Sequence, residues 1–280
     1  MSMKLPQQLI TKFDRGDIEA LAHALPVQRY IGEFPLYRRI DILAPAIVLL
    51  TVTPGESTSI HISADYSYFA DAIELEGSSH ALVIKPRLKS KINSSMWVDA
   101  DEGFKHEVSM PPGMHLATAN RFMRLMSRLF GIRPPRGALV LKITAPKVPD
   151  IIQHANALVL VDGVDQYSVC TQVYGGTLCL RGQVENLACF AAGEATSVLA
   201  SDLQAQSGDP ISAVQGAHIR ANVRDQFRGL ARDKNSLVTV QGNPPMTSVE
   251  MKDGGRVEHN DAGPSSSTSV PCGIPQTSCA

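Results

Sequence analysis

The chain has little of what marks several common protein classes. Of its 280 residues, five are cysteine and one is tryptophan, and aromatic residues make up only 5%. The cysteines form no CxxC pair and have no histidine at ligand spacing, so we expect unpaired packing residues in a reducing compartment.

The formal net charge is −1, and the overall charge therefore attracts neither nucleic acid nor an anionic surface. We predict no nucleic-acid partner.

A long apolar run is also absent. The longest stretch, Ile42 to Val52, is interrupted by Pro45 and falls well short of the roughly 20 residues that span a bilayer. The opening residues MSMKLP are followed by polar and charged residues rather than by the apolar core of a secretory signal. These features predict neither a transmembrane segment nor a signal peptide, and they favour a cytoplasmic location.

Motifs for cofactors and common hydrolytic chemistry are missing as well. The sequence has no GxGxxG, no Walker loop and no GxSxG, and its eight histidines lack the i, i+4 pairing of a helical metal site. We therefore expect no cofactor, no metal site and no enzymatic activity.

The chain does contain a repeat of about 20 residues, which is short enough to be one coil of a solenoid. Its units begin at positions 156, 176, 195, 217 and 235, and each joins a small or turn-forming residue to a run rich in Val, Leu and Ile. One coil cannot bury its own apolar side, so successive coils must stack. The repeat predicts an all-β, right-handed parallel β-solenoid with these equivalent residues in one core: Leu158, Leu178, Val198, Ile219 and Val238.

The first 28 residues read as an N-terminal helical segment. Apolar residues at 18, 21, 22 and 25 follow helical spacing, which predicts a helix over residues 7–25 that docks by this stripe. Asp17 follows Gly16 and is a plausible N-cap, and Pro26 ends the run.

The solenoid domain is predicted over residues 29–245, and its opening strands show alternating apolar residues. Residues 93–137 break this alternation and are predicted to be an insertion that contains a short helix, 118–130. From 246 to 280 the chain is rich in Gly, Ser, Pro and charged residues, and we expect a disordered tail that is dispensable for folding.

Several stretches occur in an order that suggests a family. They are Phe34–Ile42, Val48–Gly55, Ser59–Asp65, Leu82–Lys85, Leu141–Pro146, the turn glycines 175, 176, 193 and 216, and Val238–Gly242 followed by Asn243 and Pro244. From about Ile31 to Pro245 this order resembles the family named "putative auto-transporter adhesin head GIN domain". The resemblance implies an all-β, solenoid-like domain with a surface-adhesin role and no established catalytic residues. Such relatives usually carry an export signal, and the insertion has no counterpart in their pattern.

The insertion holds the most basic stretch of the chain. Its predicted helix has an apolar face of Phe122, Leu125, Met126 and Leu129, and the basic residues are Arg121, Arg124, Arg128, Arg133 and Arg136. A basic amphipathic helix can bind an acidic partner or an anionic membrane surface, or it can cover an open end of a solenoid. We expect the covering role, because apolar stripes on helices usually face a core.

Three short motifs have simpler explanations than the function they suggest. Residues 15–17 spell Arg-Gly-Asp, an integrin-type tripeptide, but helix capping by Asp17 explains them better. The carboxylates of 99–103 do not fit a calcium loop, because Gly103 comes one position too early. Asp162 and Asp165 could place two carboxylates at a strand end for glycan cleavage, although turn formation is the commoner role of Asp.

These observations favour a non-enzymatic binding or scaffold module whose ligand is a protein or a glycan. One alternative is a carbohydrate-active enzyme on the same scaffold, and another is a partner or membrane-surface binder that acts through the helix 118–130. The enzyme requires at least two carboxylates that converge in a groove, whereas a scaffold can carry a flat or polar face.

Overall fold

The computed structural model describes most of the chain. The described residues are 15–55, 57–65, 67–78, 80–87, 99–100, 104–105, 139–194 and 196–260. The predicted helix 118–130, its five arginines and residues 261–280 lie outside this part. No helix within it is both long enough and apolar enough to cross a membrane.

The elements follow one another in this order. Helix α1 (Arg15–Ala24) precedes β1 (Val27–Phe34), β2 (Arg39–Ile42), β3 (Ile47–Val52) and β4 (Thr58–Ala64), and helix α2 (Ser67–Asp71) precedes β5 (Ile73–Gly77) and β6 (Ala81–Pro86). The two-residue strands β7 (Asp99–Ala100) and β8 (Phe104–Lys105) pair with each other. The remaining strands are β9 (Leu139–Ala145), β10 (Asp150–Gln153), β11 (Ala157–Val173), β12 (Gly176–Ala192), β13 (Thr196–Val214), β14 (His218–Arg232), β15 (Leu237–Gln241), β16 (Met246–Lys252) and β17 (Arg256–His259).

The predicted β-solenoid is confirmed, with about five turns. Each of the long strands β11 to β14 pairs in parallel with the next, and irregularities in the register bend these strands. The bend lets the first part of β11 pair with β3 while its last residues pair with β10. One long strand therefore supplies two faces of a coil.

A column of apolar side chains fills the core. Val159, Leu178, Val198, Ile219 and Val238 align in register through four successive strand pairs, and each is at most 1% exposed. The predicted core positions of Leu178, Val198, Ile219 and Val238 are therefore confirmed.

The predicted core position of Leu158 was wrong by one residue. Ala157, rather than Asn156, aligns with the start of the next coil at Gly176, so Val159 occupies the core column. Leu158 is half-buried and packs instead against the cluster beneath α1. Successive side chains of a strand face opposite sides, so a shift of one residue reverses which side chain points inward.

Helix α1 covers the outer surface of the sheet. Ile18, Ala22 and Leu25 are buried against a cluster formed by Ile47, Leu49, Val140, Leu160 and Cys179. The predicted apolar stripe therefore docks, and the described part of the predicted helix is helical. Asp17 lies inside the helical residues Arg15–Ala24 rather than before them, so its predicted role as N-cap was wrong.

The solenoid extends beyond the predicted boundary at residue 245. Strand β16 pairs in parallel with the second part of β14, and β17 pairs in parallel with β15. The prediction of a disordered tail from residue 246 was therefore wrong for β16 and β17. Average composition over 35 residues concealed them, because the open edges of β14 and β15 supply backbone hydrogen bonds that composition does not register.

Candidate binding groove

A groove runs along one side of the solenoid, on the face that follows the bend in each long strand. Its volume is about 580 Å³. Four consecutive coils line it with these side chains: Asp165, Gln166 and Tyr167 from β11; Gln183, Val184 and Glu185 from β12; Gln204 and Gln206 from β13; and Arg224 and Asp225 from β14.

Glycine makes the bend beside this groove possible. Gly182 has φ of +126°, and a Cβ atom there would lie 2.1 Å from the carbonyl oxygen of Val164 on the neighbouring coil. No other residue type fits such a close approach of two backbones. The irregularities in register lie just before the groove, between Val161 and Val164 and between Cys179 and Gly182.

Strand alternation then places polar side chains outward in rows on β11 to β13, and on β14 an irregularity in the register after Val223 lets the consecutive residues Arg224 and Asp225 both face the groove. Val164, Val184, Ala205 and Val223 point into the core, and their neighbours face the groove. We call Asp165, Gln183, Gln204 and Arg224 the inner row, and Tyr167, Glu185, Gln206 and Asp225 the outer row. Neighbouring strands are about 4.8 Å apart, so four coils present side chains over roughly 14 Å.

Hydrogen bonds between neighbouring coils hold the inner row in place. Gln183 Nε2 donates to Asp165 Oδ1 at 3.1 Å, and Arg224 Nη2 donates to Gln204 Oε1 at 2.5 Å. Gln166 is fixed by the backbone, because its Oε1 accepts from the Val148 N–H at 2.9 Å and its Nε2 donates to the Val148 carbonyl at 3.1 Å. The inner row is therefore organised before any ligand binds.

The outer row offers groups that a ligand can reach. Tyr167 is 68% exposed, which leaves its ring accessible for stacking. Within the described residues, the side chains of Glu185, Gln206 and Asp225 make no hydrogen bond or ion pair with the protein, and all three are exposed. Carboxylate oxygens accept hydrogen bonds, and amides both donate and accept them. The row can therefore bind a ligand that carries many hydroxyl groups.

The groove carries more negative than positive charge. Its carboxylates belong to Asp165, Glu185 and Asp225, and its guanidinium belongs to Arg224. This balance disfavours an anionic ligand. Among the described residues, no group of three or more His, Cys, Asp or Glu side chains could hold a metal ion.

The structure separates the two carboxylates that were considered as a catalytic pair. Asp162 Oδ2 lies 3.3 Å from Arg15 Nη1 and so contacts helix α1, whereas Asp165 lines the groove. Arg15 also pairs with Glu19 at 3.0 Å within the helix, so of the Arg-Gly-Asp stretch it is Arg15 that links the helix to the sheet, while Gly16 and Asp17 are exposed. The acidic stretch 99–103 lies partly outside the described residues.

Sequence reasoning missed most residues of the groove. The inner row recurs at positions 165, 183, 204 and 224, with intervals close to those of the core repeat. A search for polar residues at that interval, immediately after the apolar positions, could have found it. The apolar repeat alone gives no such signal.

Two of the three described cysteines are buried and are poor nucleophiles. Cys170, Cys179 and Cys189 are free thiols. Burial raises the pKa of Cys179 and of Cys189 to about 12, so both remain protonated near neutral pH. These two buried cysteines act as packing residues, as the sequence predicted.

No protein-family model and no curated protein matches the chain. Three similar solved structures are described as a "putative adhesin" from Bacteroides fragilis, a "putative lipid binding protein" from Parabacteroides distasonis and a "putative adhesin" from Parabacteroides merdae. Their TM-scores are 0.52, 0.41 and 0.43, and their sequence identities are 12%, 11% and 9%. They match over 84–85% of this chain and 96–98% of their own. The Bacteroides fragilis structure shares the fold, and this low identity supports no further comparison.

Proposed function

We propose that the chain is a non-enzymatic β-solenoid binding module that holds a neutral oligosaccharide in the groove. The observation that carries this proposal is the pair of polar rows on four consecutive coils, with the exposed ring of Tyr167 beside them. The ring offers an apolar face to the C–H groups of a sugar. The amides and carboxylates offer partners to its hydroxyl groups.

A sugar fits this groove better than a protein surface does. The centres of protein interfaces are depleted of charged residues and are enriched in aromatic residues, Met and Arg. Here Asp165, Glu185 and Asp225 line the groove, and Val184, its one aliphatic lining residue, is buried with its side chain in the core. The rows also match an extended ligand built from repeating units, since each of the four coils offers polar groups at the spacing of neighbouring strands.

The chain is also, in this proposal, a divergent relative of the auto-transporter adhesin head GIN domain family. The order of its strands and coils supports this relationship, and so does the fold shared with the Bacteroides fragilis structure. A role in surface adhesion through a glycan is compatible with both.

Affinity electrophoresis tests glycan binding. The full chain is run in native gels that contain a soluble β-glucan, a xylan or an α-glucan, and retardation gives an apparent Kd. Tyr167→Ala should weaken binding about tenfold, because it removes the stacking surface. Tyr174→Ala is the matched control, since Tyr174 is 42% exposed but lies outside the groove. No retardation by any of the three polysaccharides would contradict the proposal, as would equal effects of the two substitutions.

A second measurement separates binding from catalysis. The same polysaccharides are incubated with the full chain, and new reducing ends are quantified. We expect none above the background of the buffer. If reducing ends appear and Glu185→Gln or Asp225→Asn abolishes them, the protein is a carbohydrate-active enzyme and the non-enzymatic assignment is wrong.

A further inference from the structure

The core of the solenoid is open at its C-terminal end. Two inward-facing columns pass through β13 and β14, one from Ile211 to Gly229 and the other from Ala213 to Ala231. On β16 these columns end at Val249 and Met251. These last two side chains are 38% and 58% exposed, although Ile211, Ala213 and Ala231 are fully buried. The end of the core is therefore an exposed apolar surface.

The backbone is open at the same place. Among the described strands, β16 pairs with β14 alone, so its other edge has no partner strand there. Solenoids need a cap on each end, because an uncovered coil exposes both apolar side chains and backbone hydrogen-bonding groups. The geometry calls for one more strand, with an apolar residue that covers Met251.

The charges on β16 identify a fitting partner. Glu250 and Lys252 flank Met251, face outward and form an ion pair with each other within the strand. If two copies of β16 pair in antiparallel orientation about a twofold axis at Met251, Glu250 lies opposite Lys252 of the other copy. The symmetry produces this pair twice. A register centred on Glu250 would instead place two like charges opposite each other, which is unfavourable.

The following segment of the chain is a poorer candidate. Residues 261–280 contain Pro264, Pro271 and Pro275, and proline cannot donate a backbone hydrogen bond to a strand edge. Apolar residues are also few there. The segment therefore lacks the pattern of another coil.

We propose that two copies of this chain associate end to end, by antiparallel pairing of residues 250–252 of their β16 strands, and thereby bury Met251. The interface is isologous, since the same strand contributes from both copies. It lies at the end of the solenoid rather than along the groove, so it does not depend on the proposed glycan binding.

Sedimentation equilibrium of the full chain over a range of concentrations tests this pairing. Wild-type protein should show a monomer–dimer equilibrium. Glu250→Lys and Lys252→Glu should each raise the dimer Kd at least about tenfold, because each replaces two attractive cross-strand pairs by two repulsive ones. The double variant, Glu250→Lys with Lys252→Glu, should restore dimerisation because the pairs are re-formed with exchanged charges.

A second ion pair provides the matched control. Lys85 Nζ pairs with Glu76 Oε2 at 2.5 Å on β6 and β5, far from β16 in the order of strands. Glu76→Lys and Lys85→Glu should leave the dimer Kd unchanged. Circular dichroism of every variant checks that the fold is retained, and a charge variant that unfolds is replaced by Met251→Lys.

Three results would overturn the proposal. The first is a wild-type protein that is monomeric at every concentration. The second is a dimer that neither single charge reversal weakens, which would place the interface elsewhere. The third is a monomer in which hydrogen exchange shows protection of those β16 amides that do not bond to β14, which would mean that another segment of the same chain covers the edge. Glycan binding in the gel assay is unaffected by any of these outcomes, so the two proposals fail separately.

Discussion

Replacing Leu178 by Ala tests the core column most directly. Leu178 is fully buried, and it lies between Val159 on one neighbouring coil and Val198 on the other. A Leu→Ala change in a core costs about 2–5 kcal/mol, and the cost is higher where the surroundings cannot collapse into the cavity. Stacked coils restrict such collapse on both sides, so we expect a loss of about 3–4 kcal/mol in the free energy of unfolding.

Urea denaturation followed by far-UV circular dichroism measures this loss. With a slope of about 3 kcal/mol per molar urea, the midpoint should fall by roughly 1 M. Leu199→Ala is the matched control, because Leu199 is 37% exposed and aligns with the outward-facing Cys179 rather than with the core column. Its loss should stay below about 1 kcal/mol, in the range typical of partly exposed sites.

Two outcomes would refute the reasoning about the column. A loss below about 1 kcal/mol for Leu178→Ala would mean that the column does not carry the stability of the coils. Equal losses for Leu178→Ala and Leu199→Ala would mean that the assigned register does not separate inward from outward positions.

Other predictions concern the bend beside the groove and the two buried cysteines. Gly182→Ala should lower the free energy of unfolding by at least about 2 kcal/mol, because of positive φ and the clash with Val164. Gly16→Ala, where a Cβ meets nothing within 4 Å, should be neutral or slightly stabilising in helix α1, and equal melting points for both variants would contradict the argument. Iodoacetamide at pH 8 should leave the buried cysteines unmodified in the folded protein and modify them in urea, as mapped by peptide mass spectrometry; labelling of the folded protein would disprove their burial. The pKa of the Cys179 and Cys189 thiols is about 12 in the folded protein, above the ordinary value of 9.0. As the pH rises from 9 toward 12, the unfolded state therefore loses the thiol protons before the folded state does, and the melting temperature should fall.

The sequence determined the architecture because the solenoid is encoded locally. Each coil repeats a short apolar run after a small or turn-forming residue, and such a unit can bury its apolar side only against its neighbours. The same alternation places Leu178, Val198, Ile219 and Val238 inward, and helical spacing identifies the docking face of α1. These features depend on patterns within a few consecutive residues.

The tertiary structure decided the offset between coils, and local patterns do not encode that offset. The alignment of Ala157 with Gly176 made Val159, rather than Leu158, the core residue of the first coil. The same offsets bring Asp165, Gln183 and Gln204 into one register, and Arg224, two residues after the partner of Gln204, reaches back to it with its side chain. Along the chain, 18 to 21 residues separate neighbouring members of this inner row.

The C-terminal end also shows what local sequence encodes and what only the folded chain decides. Residues 246–259 have the composition of a tail, yet the open edges of β14 and β15 give them backbone partners in β16 and β17. Composition measures how much apolar surface a segment can bury, whereas pairing also depends on which strand edge lies within reach. That edge exists only after the preceding coils have stacked, and this is why the groove and the last two strands required the folded chain.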